Sequence, residues 1–407
     1  MNAPHRRGAC PGLSAPMPTG DGLLVRLMPT APVSLDRFIA LCEAAREHGN
    51  GTLEVTARGS LQVRGLTPQS APAFAAAVAA LDIAASDGVQ VIADPLPDDA
   101  GALAASVRDA IAGADLALAA KVSVVIDSGG GLHLDALTAD VRLRTTGARL
   151  HVSLGGDAAS AMPLGTILPE RAGEVVVQLL RVVPRQGPTA RAVDVLRDHG
   201  IAPFRAAVTA AVSPAAKLPQ RPPAEPIGRH PLRDGSVALG LALAFGHARA
   251  EVLCELARIA ASHGARSVRP APGRALLLLG LAETDALALT SAAEPLGFVV
   301  RADDPRRAIV ACPGKPACAS GFIAARALAA EIASRVPARS GTIHISGCAK
   351  GCAHPAPAAL TVVGTERGCG IVRNGSARAT PSRHVDSADL FAEVVRVAAP
   401  DREAVHG

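Results

Sequence analysis

A degenerate internal repeat constrains this chain more than any other feature. One copy, residues 21–66, reads DGLLVRLMPTAPVSLDRFIALCEAAREHGNGTLEVTARGSLQVRGL, and a second, residues 234–281, reads DGSVALGLALAFGHARAEVLCELARIAASHGARSVRPAPGRALLLLGL. Each opens on Asp-Gly, runs through an apolar strand into a helix ending in His-Gly, and closes with two extended segments around an arginine-bearing turn. The matches Asp21/Asp234, His48/His263 and Gly65/Gly280 keep their spacing to within two residues. The periodicities predict a β-α-β-β unit in each copy. In the first, Leu35, Phe38, Ile39 and Cys42 share one helical face between an N-cap at Ser34 and a stop at Gly49. One such unit has too little apolar surface to stand alone, so the copies are expected to pair across a pseudo-twofold axis.

The remaining sequence divides around the repeat. Residues 76–212 are mixed α/β, with an apolar strand over 121–126 running into Asp127-Ser128-Gly129-Gly130-Gly131. Six prolines between 213 and 235 mark a linker, placed at 213–233. Beyond the second copy come a strand over 308–311, an Ala-rich helix over about 320–335 and a strand over 342–345. The expected organisation is a first half-domain at 15–75, an α/β domain at 76–212, the linker, a second half-domain at 234–290 and a last α/β domain at 291–400, giving an α+β fold class.

Four cysteines follow the second copy, as Cys312-x5-Cys318 in ACPGKPACASG and Cys348-x3-Cys352 in HISGCAKGCAHP. Four thiolates on two glycine-rich loops suit a [4Fe–4S] cluster. Zinc is the rival, but structural zinc sites favour CxxC knuckles and neither pair has two intervening residues. Disulfides need an oxidising compartment, and MNAPHRRGACPGL has no apolar signal core. Cys42 and Cys254 sit on apolar helix faces and read as core. Cys10 and Cys369 have no partner at metal spacing, so none of these four is expected to ligate.

Composition removes several functions. There is no Trp or Tyr and only seven Phe, so stacking platforms for nucleobases are scarce. The net charge of +5 comes from scattered residues rather than a basic arm, which argues against a nucleic-acid partner. The longest apolar runs fall short of the ~18 residues a spanning helix needs, so no membrane role and a cytoplasmic location are expected. No GxGxxG after a strand, GxxxxGK[ST] or HExxH is present, which points to an external electron donor rather than a built-in nicotinamide domain.

A duplicated β-α-β-β unit followed by CxxxxxC and CxxxC resembles the sulfite and nitrite reductase family over nearly the whole chain. The resemblance implies two ferredoxin-like half-domains paired by pseudo-twofold symmetry plus two mixed α/β domains. It also implies that Cys312, Cys318, Cys348 and Cys352 hold [4Fe–4S], the last cysteine bridging to sirohaem iron in the reductases. Within the family, the segments RRGACPGLSAPMPTGDGLLVRL, RPAPGRALLLLGL, DPRRAIVACPGKPACASG and HISGCAKGCAHP are similar to a compact branch that oxygenates a reduced, metal-free tetrapyrrole. That branch implies a tetrapyrrole substrate, dioxygen, an external electron donor and a mononuclear non-haem iron, for which His344 and His354 are candidates. Sirohaem belongs to the alternative reading, a sulfite or nitrite reductase. A non-catalytic module that binds a tetrapyrrole or carries electrons is the reading from another class.

The segment from Thr56 to Gly65 resembles the family's T-x-R-Q-x-x-Q-x-[RH]-G element, with Gly59 in place of its first glutamine. Arg58 and Gln62 take the positions of its tetrapyrrole-binding residues, and a guanidinium fork suits a carboxylate. Gln62 and Arg64 alternate with Leu61 and Val63, so both leave the same face of the strand. Lys121 resembles the first lysine of the family's K-F-K element, whose second lysine is Ser123 here. Val89 and Gln90 stand where the family has Arg-Asn. The expected substrate clamp is therefore Arg58, Gln62, Arg64 and Lys121. Arg269 and Arg274, flanking the counterpart turn, are expected to face the same cavity from the opposite side. The catalytic acid and base are left open.

Overall fold

The computed structural model describes residues 11–86, 88–96, 100–335 and 341–398; Cys10 lies outside them. Among the described residues there are four five-stranded sheets, two belonging to the repeats and two to the α/β domains. In the first repeat, Gly22–Leu27, Leu61–Leu66 and Thr52–Val55 pair antiparallel, with helix Leu35–His48 packed on the apolar face. The second repeat does the same with Val237–Ala242, Ala275–Leu281, Ser267–Ala271 and helix Ala250–Ser262.

The pairing is tighter than two docked units. The short segment Val33–Ser34 leaves its own sheet and pairs with Ser267–Val268 of the second repeat. Reciprocally, His247–Arg249 pairs with Thr52–Glu54 of the first. Each half thus completes the other's sheet, and helices 35–48 and 250–262 pack across the axis into one core. Phe38, Leu41, Cys42, Leu253, Cys254 and Leu256 are all at most 5% exposed in it. At about 1.5–3 kcal/mol per large apolar side chain, neither half could keep its helix face in water.

The two α/β domains share one topology. Gln90–Ala93, Ser123–Asp127 and Ala139–Thr146 run parallel, and Arg149–Gly156 and Met162–Ile167 then fold back antiparallel. In the last domain, Ile309–Ala311, Ile343–Ser346 and Ala358–Thr365 run parallel before Gly368–Gly375 and Arg383–Val385 fold back. The duplication therefore covers a half-domain together with its α/β domain.

Two segments differ from the sequence expectation. Within the proline-rich stretch, Gly228–Pro231 is a strand on Val237–Ala242 and so belongs to the second half-domain. The rest lies along the first α/β domain: Ser213 and Thr166 exchange backbone hydrogen bonds, and Arg221 reaches Asp135 at 2.9 and 2.6 Å as well as Asp127. Proline removes backbone donors from this segment, yet its carbonyls still accept from His151 and Arg144. The helix expected from about residue 320 is the shorter Ala325–Ala333, because residues 319–324 form turns around Gly321 that bond back to the cysteine loops. Among the described residues no helix is long and apolar enough to cross a membrane.

Candidate active site between the cysteine loops and a half-domain sheet

Parallel pairing brings the cysteines together. Ile309, Val310 and Ala311 lie beside Ile343, His344 and Ile345, so the loops that follow leave one edge of the sheet side by side. Ligand sites gather at this carboxyl edge of parallel strands. The loops interlock through Cys312 N–H to Ile345 O at 3.3 Å, Phe322 N–H to Gly347 O at 2.7 Å and Lys315 N–H to Ile323 O at 2.8 Å. Gly347, Gly314 and Gly321 are packed so closely that a Cβ at Gly347 would lie 2.9 Å from Gly314 Cα. The Gly347 amide donates to Cys312 Sγ at 3.0 Å.

The four thiols share one environment. Burial pushes the Cys312 thiol up, the amides of Gly347 and Gly314 pull it down, and the charges of Cys348 and Cys318 raise it again. Cys352 is the most exposed of the four residues, yet its thiol is raised by loss of solvent and by the other three. As thiolates they would repel one another unless a cationic group sat between them. Among the described residues, no three His, Cys, Asp or Glu side chains close on a single metal ion. Amide donors aimed at sulfur and a glycine-lined cradle fit an iron–sulfur cluster.

The polar face of the first repeat's sheet approaches these loops. Gly20 lies against Cys318, where any side chain would collide with Sγ, and Ala319 N–H donates to Gly20 O at 2.8 Å. The next residue, Asp21, takes both arms of the Arg64 guanidinium at 2.7 Å. Arg64 also meets Glu54 at 3.2 Å, and Glu54 meets Arg326 at 2.7 Å. Register places Arg26, Gln62, Glu54 and His247 side by side across four strands. With its amide oriented by these neighbours, Gln62 donates to Glu54 at 3.1 Å and accepts from Arg26 at 2.8 Å.

The expected clamp residues fall into two neighbourhoods. Arg58 turns away from the cysteines and donates to Thr138 O at 2.8 Å and Ser123 Oγ at 3.0 Å, leaving Nε buried without a partner among the described residues. Burial and the charge of Arg191 lower its pKa to about 10 despite Asp140, with Arg26 and Arg142 adding to the effect. Lys121 is exposed and stands two residues before Ser123, whose hydroxyl accepts from Arg58. Beside Arg58 a cleft of about 650 Å³, including its open mouth, is lined by Arg58, Gln90, Arg108 and Arg269.

Gln62 and Arg64 lie in the other neighbourhood, under the cysteine loops. Arg64 is expected to clamp substrate, and two internal carboxylates already meet its fork. Burial pulls its pKa down, but the bond to Asp21 and the charge of Glu54 hold it above the ordinary arginine value. Arg269 and Arg274 also separate, Arg269 lining the Arg58 cleft and Arg274 affecting His344 under the cysteine loops.

Sequence reading missed Arg26, Glu54, His247 and Arg326. The signal that finds them is strand register, above all the exchanged strand that places His247 opposite Glu54. His344 and His354 stack edge to face with ring centroids 5.7 Å apart. His344 is fully buried, and its pKa falls to about 4 through desolvation and the nearby His354 and Arg274.

Residues 15–81 match the family described as the nitrite/sulfite reductase ferredoxin-like half domain. The solved structure of the Mycobacterium tuberculosis NirA protein superposes with a TM-score of 0.70 at 20% identity, covering 92% of this chain and 80% of that one. A ferredoxin-dependent sulfite reductase of the same organism is 26% identical over 180 residues, 40% of this chain and 32% of that protein. Fold and half-domain together show the nitrite/sulfite reductase architecture. A precorrin-3B synthase from Sinorhizobium sp is 38% identical over 412 aligned residues, 97% of this chain and 89% of that protein. The chain belongs to the precorrin-3B synthase family.

Proposed function

We propose that this enzyme oxygenates precorrin-3A at C20, with lactone formation from the ring-A acetate, in aerobic cobalamin biosynthesis. One oxygen atom of dioxygen enters the substrate and the other leaves as water, which takes up two electrons and two protons from an external donor. The observation that carries this reading is the full-length similarity to a precorrin-3B synthase, joined to a cysteine quartet seated against a polar sheet face. Cys312, Cys318, Cys348 and Cys352 would hold a [4Fe–4S] cluster, which when bound supplies one-electron transfer.

The chain's own residues would bind and orient the tetrapyrrole. Arg58 has an unsatisfied Nε and further N–H capacity, which suits a substrate carboxylate, and the exposed Lys121 would add a second cation. Gln62 is held in one orientation by Arg26 and Glu54, so it can present a fixed amide to the ring periphery. Arg64 acts indirectly by tying the turn beside Cys318 to the sheet. The test is aerobic incubation of reconstituted protein with precorrin-3A and a reductant. Formation of the hydroxylated lactone supports the reading, and an intact-cluster preparation that leaves precorrin-3A unchanged refutes it.

The fold and the partial similarity to a sulfite reductase favour one second reading, a sirohaem-dependent reductase. A Soret band and extractable sirohaem in the purified protein would establish it.

A further inference from the structure

The two α/β domains share a topology but not a surface. Ala139–Thr146 and Ala358–Thr365 occupy the same place in the two sheets. Alternate side chains of each pack on the helices, Val141 and Leu143 in the first domain and Leu360 and Val362 in the last. The opposite faces differ. In the last domain Thr361 and Val363 pair with Val372 and Gly370, and Val363, Val372 and Ala377 close that face with an apolar contact. The corresponding positions in the first domain are Arg142 and Arg144, paired with Ser153 and His151. The fold does not require this polarity, since the duplicate does without it.

The proline-rich strap covers the polar face without packing tightly on it. Ala216 O accepts from His151 Nε2 at 2.9 Å, Pro219 O accepts from Arg144 at 3.4 Å, and Lys217 donates to Ala159 O. Pro214 and Pro219 have no N–H to pair with the sheet, so the strap meets it through carbonyls and stands off. Between strap and sheet lies a cavity of about 430 Å³, including its open mouth, lined by Asp135, Arg142, Arg144, His151, Ser153 and Lys217. That size suits a small molecule.

Charge and hydrogen bonding say which kind. Arg142 is 5% exposed, and its guanidinium donates to the carbonyls of Leu137 and Leu134, the latter at 2.9 Å. Asp135 approaches Arg142 only to 4.0 Å, and both its oxygens are taken by Arg221 at 2.9 and 2.6 Å. Asp157, just past Arg149–Gly156, bonds the Ser160 hydroxyl and the amides of Ala159 and Ser160. Among the described residues, Arg144 and Lys217 meet carbonyls but no carboxylate at ion-pair distance, and no protein group bonds the Ser153 hydroxyl. The cations Arg142, Arg144, Lys217 and Arg221 outnumber the carboxylates Asp127, Asp135 and Asp157. A guanidinium fork, an ammonium and a hydroxyl around one cavity, all short of acceptors, are the chemistry of an oxyanion site.

We propose that this cavity binds one small oxyanion, a phosphate or a carboxylate, through Arg144, Lys217 and the Ser153 hydroxyl over the buried Arg142, and that the occupant fastens the strap to the first α/β domain. The site shares no residue with the Arg58 cleft, and it does not depend on the reaction assigned above.

Calorimetric titration of the full chain with inorganic phosphate, and separately with malonate, at constant ionic strength tests this. At least one anion should bind one-to-one with a Kd of roughly 0.1–1 mM, and the tighter one identifies the group recognised. Arg144→Gln and Lys217→Gln should each weaken that binding roughly tenfold or more, whereas Arg58→Gln should leave it within about twofold. Each of the first two gives up only a bond to a carbonyl, so their thermal midpoints are expected within about 3 °C of wild type. In wild type the bound anion should slow tryptic cleavage after the exposed Lys217 roughly threefold or more. Absence of saturable binding by both anions, binding within about twofold of wild type in either cavity variant, or its loss in Arg58→Gln overturns the site. Cleavage after Lys217 at one rate with and without the anion overturns the fastening of the strap.

Discussion

Replacing Asp21 with asparagine tests how the first half-domain is fastened to the cysteine loops. The Asp21 side chain is 2% exposed and Arg64 8%, and two 2.7 Å bonds join them. Removing one partner of such a buried pair costs about 3–5 kcal/mol. Glu54 still faces Arg64 at 3.2 Å and asparagine keeps one acceptor, so about 2–3 kcal/mol is the working figure here. At about 2–4 °C per kcal/mol for a large domain, the apparent midpoint should fall by roughly 5–10 °C in a circular dichroism melt. A cycle with Arg64→Gln should show coupling above about 1.5 kcal/mol, the double variant losing much less than the sum of the singles. Because Asp21 adjoins Gly20 on Cys318, Asp21→Asn should also bleach faster in air than wild type. Burial alone would raise the Asp21 pKa, but the Arg64 bond and charge bring it below the ordinary value. The pair's contribution is therefore complete above about pH 4 and lost as pH falls through the depressed folded value. A midpoint within about 1 °C of wild type, or an additive cycle, would refute this account of Arg64.

Three further outcomes follow from the same geometry. Cys348→Ser should lose the broad visible absorption, with iron and acid-labile sulfide falling to background, while circular dichroism keeps the α+β signature. Arg58→Gln should raise KM for the tetrapyrrole roughly 10- to 100-fold with little change in kcat, and Arg58→Lys should recover only part of the loss. His247 is held to about 3 by burial and the charge of Arg326, against a weaker upward effect of the Phe245 backbone. The unfolded chain binds this proton first on acidification, so stability should decline from about pH 6.5 towards pH 3, by at most about 1.4 kcal/mol per pH unit. Unfolding measured over that range should show a shallower slope in His247→Asn, and an unchanged slope would remove His247 from the account.

The repeat was legible because its punctuation survives: His48/His263 and Gly65/Gly280 mark the same helix end and strand end in both copies. The strand exchange was not, since Val33–Ser34 and His247–Arg249 are too short to show alternation. The larger duplication escaped for a chemical reason. The paired loops that carry cysteines in the last domain have Asp94 and Ser128 as their counterparts in the first, joined by a 2.6 Å bond from the Ser128 amide. Topology is shared there and side-chain chemistry is not.

The same limit applies to the site. Four cysteines at the observed spacings announce themselves, but which cation binds substrate depends on what else lies within reach. Arg64 and Arg274 are both arginines on half-domain strands or turns. Asp21, 43 residues before Arg64, occupies one, whereas the described residues offer the other no partner. Gln62 and Arg64 correspond to Leu277 and Leu279 in the second repeat, both buried in an apolar cluster. The polar face therefore belongs to one half alone, and strand register shows which.

The central claim is that this chain inserts one atom of dioxygen into a metal-free tetrapyrrole. Mass spectrometry of the product formed from precorrin-3A under ¹⁸O₂, with anaerobically reconstituted protein and a reductant, tests it directly. The account predicts a lactone carrying one labelled oxygen at the C20 hydroxyl, with no product under argon. Unlabelled product, or a preparation that reduces sulfite through extractable sirohaem and leaves precorrin-3A untouched, would contradict it.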